Sequence, residues 1–496
     1  MYSYLYGASY MLVGREAELT QLENFYTSKK AEFLAIYGRR RVGKSFLIQK
    51  FYSKKSCISF HTTGLKDGTL AEQIDVFTRV IGKTFYDGAE LKNKTKWLDV
   101  FEQLTVAINK TPRNKKIILF FDELPWMATK KSKLIQALDH YWNRYWSIDP
   151  RIKLIVCGSA ASWILDNVVH NKGGLYNRIT YQIGLLPLTL NESKKFLLKK
   201  GIKLNNSQIL KLYMAIGGIP LYLDHVQKGL SADQNIENLC FTKRGFLLNE
   251  FNKLFASLFD QQSIHEEVIR LIATHRYGMS QMEIMRKSSK SVGGRLKKRL
   301  QELEESGFVE RFVPYKHKEK GIYYRVIDEY TLFYLKWVDP IFNSIKNRDK
   351  EPGYWSAKQK SSSWESWAGY AFETICYKHL NLIRKKLNVV PGSEVGSWRY
   401  APRKLDGDKQ GAQIDLLFDR DDGVIQICEI KYSSTPYIID KAYSKQLLSK
   451  VDVFVDQTKT KKQIFICMVA SNGLKENLYA EDLIDGVAVL DDLFAD

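Results

Sequence analysis

Three short stretches hold residue types that can do phosphate chemistry. The first is Gly38-Arg39-Arg40-Arg41-Val42-Gly43-Lys44-Ser45: a glycine, four residues, then Gly-Lys-Ser. Its glycines let backbone N–H groups face phosphate oxygens. Lys44 can reach the β- and γ-phosphates of a nucleotide, Ser45 can ligate Mg²⁺, and the helix opening at Phe46 adds a positive dipole. The second is Asp122-Glu123, directly after Ile117-Ile118-Leu119-Phe120-Phe121. There Asp122 suits Mg²⁺ held through water, and Glu123 suits a base that orients or deprotonates an attacking water. The third is Asp415 with Glu429-Ile430-Lys431. Two carboxylates can share Mg²⁺, and a lysine can position or activate water beside it.

Each group needs an element to hold it. Phe33-Leu34-Ala35-Ile36-Tyr37 reads as a buried strand entering the glycine loop, and Phe46-Leu47-Ile48 begins the helix after it. The run 117–121 is continuously apolar, as in a parallel strand buried on both faces. Ligands of an open α/β sheet sit at the C-terminal ends of such strands. Ser159 follows a third apolar run, Leu154-Ile155-Val156-Cys157-Gly158. It would stand between the other two strand ends and sense a γ-phosphate, or it would cap the helix-like segment that follows. Arg178, in Leu175-Tyr176-Asn177-Arg178, could neutralise phosphate charge.

Near the C-terminus, residues 414–418 and 424–432 predict two strands joined by Asp421-Asp422-Gly423, a three-residue hairpin loop with glycine at its left-handed position. That loop sets Asp415 opposite Glu429, and Lys431, two residues on, shares the face. A two-residue loop would set Asp415 against Ile430 and separate the groups. Carboxylates gathered on one face are costly unless they bind something; the alternative is an ordinary Glu–Lys pair on an exposed sheet.

The chain has 496 residues, with 75 Lys and Arg against 55 Asp and Glu, a formal charge of +20. That length predicts three or four domains. The charge favours an anionic partner, either a nucleic acid or a membrane surface. No apolar run reaches the ~18 residues that span a bilayer, and no long amphipathic basic helix supports a surface-bound form. The apolar stretch 1–16 has neither a basic leader nor a cleavage site, so it is expected to belong to the fold. Six cysteines, at 57, 157, 240, 376, 428 and 467, form no C-x-x-C pair. They predict buried, reduced thiols in a cytoplasmic protein.

In order along the chain stand Val13-Gly14-Arg15-Glu16, the glycine loop, Asp122-Glu123-Leu124-Pro125-Trp126, Cys157-Gly158-Ser159, Leu175-Tyr176-Asn177-Arg178 and Gly217-Gly218-Ile219-Pro220. Together they resemble the archaeal-type ATPases of the STAND group, relatives of AAA+ proteins. The resemblance covers roughly the first half of the chain and implies an ATP-driven molecular switch with Mg²⁺. Val13, Arg15 and Pro220 would then lie around the adenine, although Gly-Gly-Ile-Pro also suits a plain turn between helices.

Residues 261–335 read helix, helix, helix, strand, strand. Helical apolar spacing covers 264–274, a capping box starts at Ser280-Gln281-Met282-Glu283, and a helix from Ser291 ends at Gly307 before a hairpin over 308–326. This is the layout of a winged helix-turn-helix. Arg295, Lys297, Lys298 and Arg299 on its third helix suit a major groove, and Lys316 and Lys318 at the wing tip suit phosphate. The same module can serve only to pack proteins. Residues 343–363 are polar and basic, with Pro352-Gly353 and three serines at 361–363, and predict a linker set at 336–363.

Asp415 and Glu429-Ile430-Lys431 also resemble the PD-(D/E)XK nuclease superfamily, although no proline precedes Asp415. That resemblance implies a restriction-endonuclease-like α/β domain, with Glu373, on a helix over 364–380, joining Asp415 and Glu429 at the metal. The expected chain is therefore α/β: a P-loop NTPase (AAA+-like) core with a parallel sheet at 1–188, a helical lid at 189–260, the winged helix at 261–335, the linker at 336–363 and the nuclease-like domain at 364–496. The expected function is an ATP-hydrolysing switch coupled to DNA binding and Mg²⁺-dependent cleavage. The alternative is a signalling scaffold whose last domain binds nucleic acid or protein without cutting. Self-assembly into a homo-oligomer stays open.

Overall fold

The computed structural model describes residues 12–92, 94–170, 175, 177–259, 261–289, 295–316, 321–347, 353–402 and 411–495. They form two compact units. One comprises Met1–Pro187 with Ala256–Asp260 and Gln301–Gly307; the other comprises Leu188–Phe255, Gln261–Leu300 and Phe308–Asp496.

The first unit is built on five parallel strands: β1 (Glu32–Tyr37), β2 (Cys57–Thr63), β3 (Lys116–Asp122), β4 (Ile152–Gly158) and β5 (Tyr181–Gly184), in the order β2-β3-β4-β1-β5. The central strands β1, β3 and β4 are buried along almost their whole length. This is why they read as unbroken apolar runs rather than alternating ones. Phe33, Leu119, Phe121 and Val156 pack with Trp97, Phe101 and Trp146 in one core. The order places β4 between β1 and β3, so Ser159 stands between the glycine loop and Asp122. At Gly38 the backbone has φ 140°, and a Cβ would sit 2.3 Å from the Leu185 carbonyl oxygen. Only glycine fits there. At Gly158 a Cβ would meet the Pro125 ring at 2.9 Å, so the Leu124-Pro125 turn packs flat against the end of β4.

The second unit opens with helices. Thr189 caps Leu190–Lys199 in a capping box with Glu192, as its spacing predicts. Asn206–Ile216 stops at Gly217, with φ 65°, and Pro220 starts the next helix at its first turn. A Cβ on Gly218 would stand 1.8 Å from the Leu188 carbonyl oxygen, so the Gly-Gly-Ile-Pro motif is a tight interhelical turn whatever else it does. Further along, helices Gln262–Ala273, Gln281–Lys287 and Leu296–Glu305 accompany a small antiparallel sheet, β6 (Met279–Ser280), β7 (Val309–Phe312) and β8 (Tyr323–Val326), in the order β6-β8-β7. The expected capping box at Ser280 forms. Residues 291–294 of the expected third helix and 317–320 of the expected wing tip lie outside the described residues.

The segment expected to be a linker is packed instead. Trp337 and Trp355 are buried. They meet each other, Trp364 and Trp367 at centroid distances of 5.1–6.2 Å, and the Trp355 backbone N–H donates to Glu237 at 2.6 Å. A polar composition hid this, because two large aromatic side chains can anchor a stretch that is otherwise hydrophilic. Residues 348–352 lie outside the described residues.

Helix Ser362–Lys378 leads into a mixed sheet of β9 (Glu394–Tyr400), β10 (Ala412–Asp419), β11 (Val424–Lys431), β12 (Gln463–Ala470) and β13 (Gly486–Val489), in the order β13-β12-β11-β10-β9. The first three strands are antiparallel neighbours and the last three run parallel, with Lys441–Thr458 as the crossover helix from β11 to β12. The β10–β11 register runs from Asp419↔Ile425 to Leu416↔Cys428. Gly423 has φ 84°, so the turn is the three-residue loop the sequence predicts. Continuing that register one step sets Asp415 across from Glu429. Against β9 the register of β10 shifts between Ile414 and Leu417. Ala412, Ile414 and Leu417 all pack in one cluster with Ile427 and Phe454. Even- and odd-numbered residues share a face only across a bulge, and bulges re-aim side chains beside functional sites. Asp415 sits at that break.

Candidate functional site

The glycine loop folds around its own lysine. Lys44 is buried, and its Nζ donates to the Gly38 carbonyl at 2.9 Å, the Arg39 carbonyl at 3.1 Å and Ser159 Oγ at 3.2 Å. Ser159 passes the contact on: its N–H donates to Glu123 Oε2 at 3.0 Å and its Oγ to Glu123 Oε1 at 2.5 Å. The helix after Ser159 has Ala160 at its N-cap and no side-chain cap, so the capping alternative for Ser159 falls. Glu123 holds a left-handed conformation, φ 49°, that turns it away from β3. Burial works against the Asp122 carboxylate, yet hydrogen bonds from His61, Ser45 and Cys157 and the charge of His61 hold it below the usual range. Ser45 and Asp122, the two residues expected at Mg²⁺, are thus neighbours already.

The remaining expected contacts of this region fall in different places. Arg39 is buried, whereas Arg40, Arg41 and Phe46 are half-buried. Val13 and Arg15 are buried, and Arg15 donates to the Val42 carbonyl of the loop at 3.4 Å. Arg178 is exposed. Pro220 lies in the second unit at the turn described above.

The C-terminal carboxylates are arranged less simply. Glu429 is almost fully buried and is already engaged: Lys450 Nζ reaches both its oxygens, at 2.7 and 2.8 Å, Tyr443 OH donates at 3.2 Å and Lys431 Nζ stands at 3.4 Å. Lys431 therefore shares the face of Glu429, as strand alternation requires. Asp415 Oδ2 accepts the Ile430 N–H at 3.2 Å and Oδ1 accepts Gln413 Nε2 at 3.2 Å. Burial and then the charge of Glu429 push the Asp415 carboxyl up, against the pull of Lys431 and Lys450. Burial and then Asp415 push Glu373 up to about 8, against the pull of Arg325 and Arg276. The three carboxylates feel one another's charge. Among the described residues, however, no group of three or more His, Cys, Asp or Glu is arranged to hold a metal ion. The three-carboxylate shell expected from sequence is not found as such a group among the described residues, and Glu429 is paired with Lys450.

Of the basic residues expected on DNA, Arg295, Lys297, Lys298 and Lys316 are exposed. Arg299 is a correction. It is buried and donates to Gln261 Oε1 at 2.7 Å, since the helix must turn one side inward and Arg299 lies on the side of Leu296, Leu300 and Leu303. Lys318 lies outside the described residues. The chain just after β7 is also tied down: Tyr315 donates its N–H to the Ser397 carbonyl at 2.8 Å and its OH to Asp419 at 2.6 Å.

Residues 12–226 match a family described as an ATPase domain predominantly from Archaea. That stretch is similar to archaeal-type ATPase domains. The chain is also 24% identical over 430 residues to an uncharacterized protein of Methanocaldococcus jannaschii, covering 83% of this chain and 89% of that one. Among solved structures it is similar to a Walker-type ATPase of Pyrococcus abyssi, with a TM-score of 0.46, 19% identity, and 66% and 96% of the two chains covered. It is likewise similar to a STAND protein with a tetratricopeptide repeat sensor from Pyrococcus horikoshii, with a TM-score of 0.30, 19% identity, and 76% and 50% covered. No helix among the described residues is long and apolar enough to cross a membrane.

Several residues at the ATPase site and its C-terminal counterpart escaped sequence reading. His61 Nε2 stands 3.7 Å from Asp122, with its ring stacked on Phe120 at 4.6 Å. The parallel register that pairs Thr63 with Asp122 brings it there, and only knowledge of the strand order could have found it. Tyr443 and Lys450 are seven residues apart on the crossover helix, which puts them on one face two turns apart. That spacing was a readable signal. Arg276 and Arg325 come from a different stretch of chain altogether and left none.

Proposed function

We propose that the ATPase domain binds and hydrolyses ATP with Mg²⁺ and works as a switch of the STAND or AAA+ type. The observation that carries this is the continuous Lys44–Ser159–Glu123 chain beside the Ser45–Asp122 pair. Every donor in it is already satisfied, so an arriving phosphate exchanges one acceptor for another rather than paying to dehydrate a bare ammonium. Lys44 would leave the Gly38 and Arg39 carbonyls for the β- and γ-phosphate oxygens, and the loop N–H groups would face the same oxygens. Ser159 keeps Glu123 oriented. Glu123 then accepts the proton of the attacking water as the bond from the γ-phosphorus to the bridging oxygen breaks and ADP leaves. A hydroxyl next to a carboxylate of depressed pKa suits Mg²⁺, which when bound at Ser45 and Asp122 neutralises charge on the phosphates. Arg15 and Val13 would border the adenine, and Arg178 would neutralise phosphate charge. Phosphate release by the full chain with and without Mg²⁺, beside Lys44→Ala, tests this; equal turnover in the variant would overturn it.

The second unit is, in the same proposal, directed at nucleic acid. Exposed Arg295, Lys297, Lys298 and Lys316 support contact with a DNA backbone. Glu429 and Lys431 on one strand face, with the Asp415 carboxylate at the adjoining Ile430 N–H and within reach of the charges of Glu429 and Glu373, support a PD-(D/E)XK-like site. Two desolvated, mutually repelling carboxyls, Asp415 and Glu373, fit a divalent cation in charge; Glu429 fits only once Lys450 lets go. A metal bound there would supply an activated water for phosphodiester hydrolysis. The Lys450 pair favours the second reading, a nucleic-acid- or protein-binding domain that does not cut. Mn²⁺ binding read by electron paramagnetic resonance, together with plasmid nicking, separates the two: metal uptake lost in Asp415→Ala supports cleavage, and no uptake at all supports the scaffold.

A further inference from the structure

A cleft of ≈ 600 Å³ opens in the second unit between helix Gln262–Ala273 and helix Ser362–Lys378. Cationic side chains line it from one side: Arg270, Arg276 and Lys336. Arg270 is held by Asp339, so it builds the wall, while Arg276 and Lys336 are exposed. Arg276 leans across the opening, with Nη1 donating to Ser366 Oγ at 3.3 Å, Nη2 to the Ser366 carbonyl at 3.2 Å and Cζ lying 5.7 Å from the Tyr370 ring. The other side is apolar, made by Trp367 and Tyr370. A cleft this size is far larger than one phosphate needs and falls in the range that takes a small organic ligand. Exposed cations beside aromatic side chains are the pairing used for a phosphate and its attached sugar and base.

The cleft also has a direction. Ser366, Tyr370 and Glu373 follow one another at helical spacing, so they share one side of helix Ser362–Lys378. Seven residues separate Ser366 from Glu373, roughly 10 Å at ~1.5 Å per residue. The charge of Arg276 reaches Glu373 as well. We propose that this cleft is a nucleotide subsite that seats one phosphate-bearing unit of a nucleic-acid strand next to the Glu373–Asp415 carboxylates. The proposal rests on the nuclease-like reading of those carboxylates and adds what that reading lacks, a cationic wall for the neighbouring phosphate. The formal charge of +20 agrees with a polyanionic occupant.

The test is anisotropy of a fluorescein-labelled single-stranded DNA 12-mer with the full chain in EDTA, so that no metal or cleavage is involved. Arg276→Glu with Lys336→Glu is compared with wild type, both checked for equal melting temperature; single Gln variants replace the pair if it fails to fold. The expected result is at least a tenfold weaker affinity, with the slope of log affinity on log salt shallower by about one. AMP is added as competitor. If millimolar AMP leaves the 12-mer bound, the occupant is a strand; if AMP displaces it in wild type alone, the occupant is a free nucleotide, and the phosphate-plus-base chemistry still holds. Equal affinity in wild type and variant, or no binding by wild type, overturns the proposal. Asp415→Ala serves as the separate control. It is expected to keep the 12-mer and lose Mn²⁺, so a failed cleft and a failed metal site give different patterns.

Discussion

The two acidic clusters of this protein are built to opposite electrostatic plans. At the ATPase site Asp122 is surrounded by donors, from His61, Ser45 and Cys157, and its carboxyl is held low. Lys44 and Ser159 likewise find complements in the Gly38 and Arg39 carbonyls and Glu123. At the C-terminal site Asp415 and Glu373 face like charge in a dry setting and are held high, and the third carboxylate is consumed by Lys450. The first cluster is satisfied by its own donors and acceptors, and in the proposed function it trades them for a phosphate. The second is frustrated, and a cation, or a proton, relieves it. A pre-satisfied site predicts a domain that works on its own; a frustrated one predicts a domain whose state depends on what binds.

That contrast can be broken by substitution. The largest effect is expected for Lys44→Ala, which removes the group that must follow the phosphate and should cut ATP turnover at least ~100-fold, read by phosphate release. Glu123→Gln should slow turnover by about 10²–10⁴-fold while leaving ATP binding in place; full-rate turnover would take the base role away from Glu123. Lys450→Met should lower stability in EDTA, because it removes the cation that meets both oxygens of buried Glu429 and leaves only Tyr443 and the more distant Lys431. Mn²⁺ should restore the loss, with tighter binding than in wild type. If metal affinity does not change, Lys450 is a structural partner and no rival of the cation. Ser159→Ala should lower turnover about tenfold by loosening Glu123 without touching phosphate affinity.

The smallest effect sharpens the comparison through pH. Glu373 ionises near 4.5 when unfolded and near about 8 in the fold. Keeping it neutral therefore contributes stability that is fully present below 4.5 and is lost as pH rises through about 8. Glu373→Gln stays neutral throughout, so its melting temperature should draw level with wild type in acid and exceed it at pH 8–9. A constant difference across that window would show that Glu373 is not the frustrated group.

Much of the ATPase domain was legible because its signals are local. A buried parallel strand is an apolar run, the glycine loop follows it directly, and Asp122-Glu123 ends the next such run. The three-residue hairpin loop at Gly423 was equally readable, since turn length alone sets which residues lie opposite. The packed segment 336–363 was not: its charge and prolyl-glycyl turn outweighed Trp337 and Trp355 in any compositional reading. Arg299 looked like its basic neighbours, and only the side on which its helix is buried separates it from Lys297 and Lys298.

By itself, then, the order of residues determined the glycine loop, the acidic strand ends, the capping boxes at Thr189 and Ser280, and the register of β10 on β11. All of these follow from backbone geometry within a few residues or across one short turn. Tertiary structure alone decided that His61 would guard Asp122, that Ser159 would latch Glu123, that Lys450 would occupy Glu429, and that Arg276 and Arg325 would lean on Glu373. Those neighbours lie 21 to 97 positions apart in the chain. Their meeting is set by strand order and helix packing, which depend on how whole faces bury one another and leave no trace in local spacing.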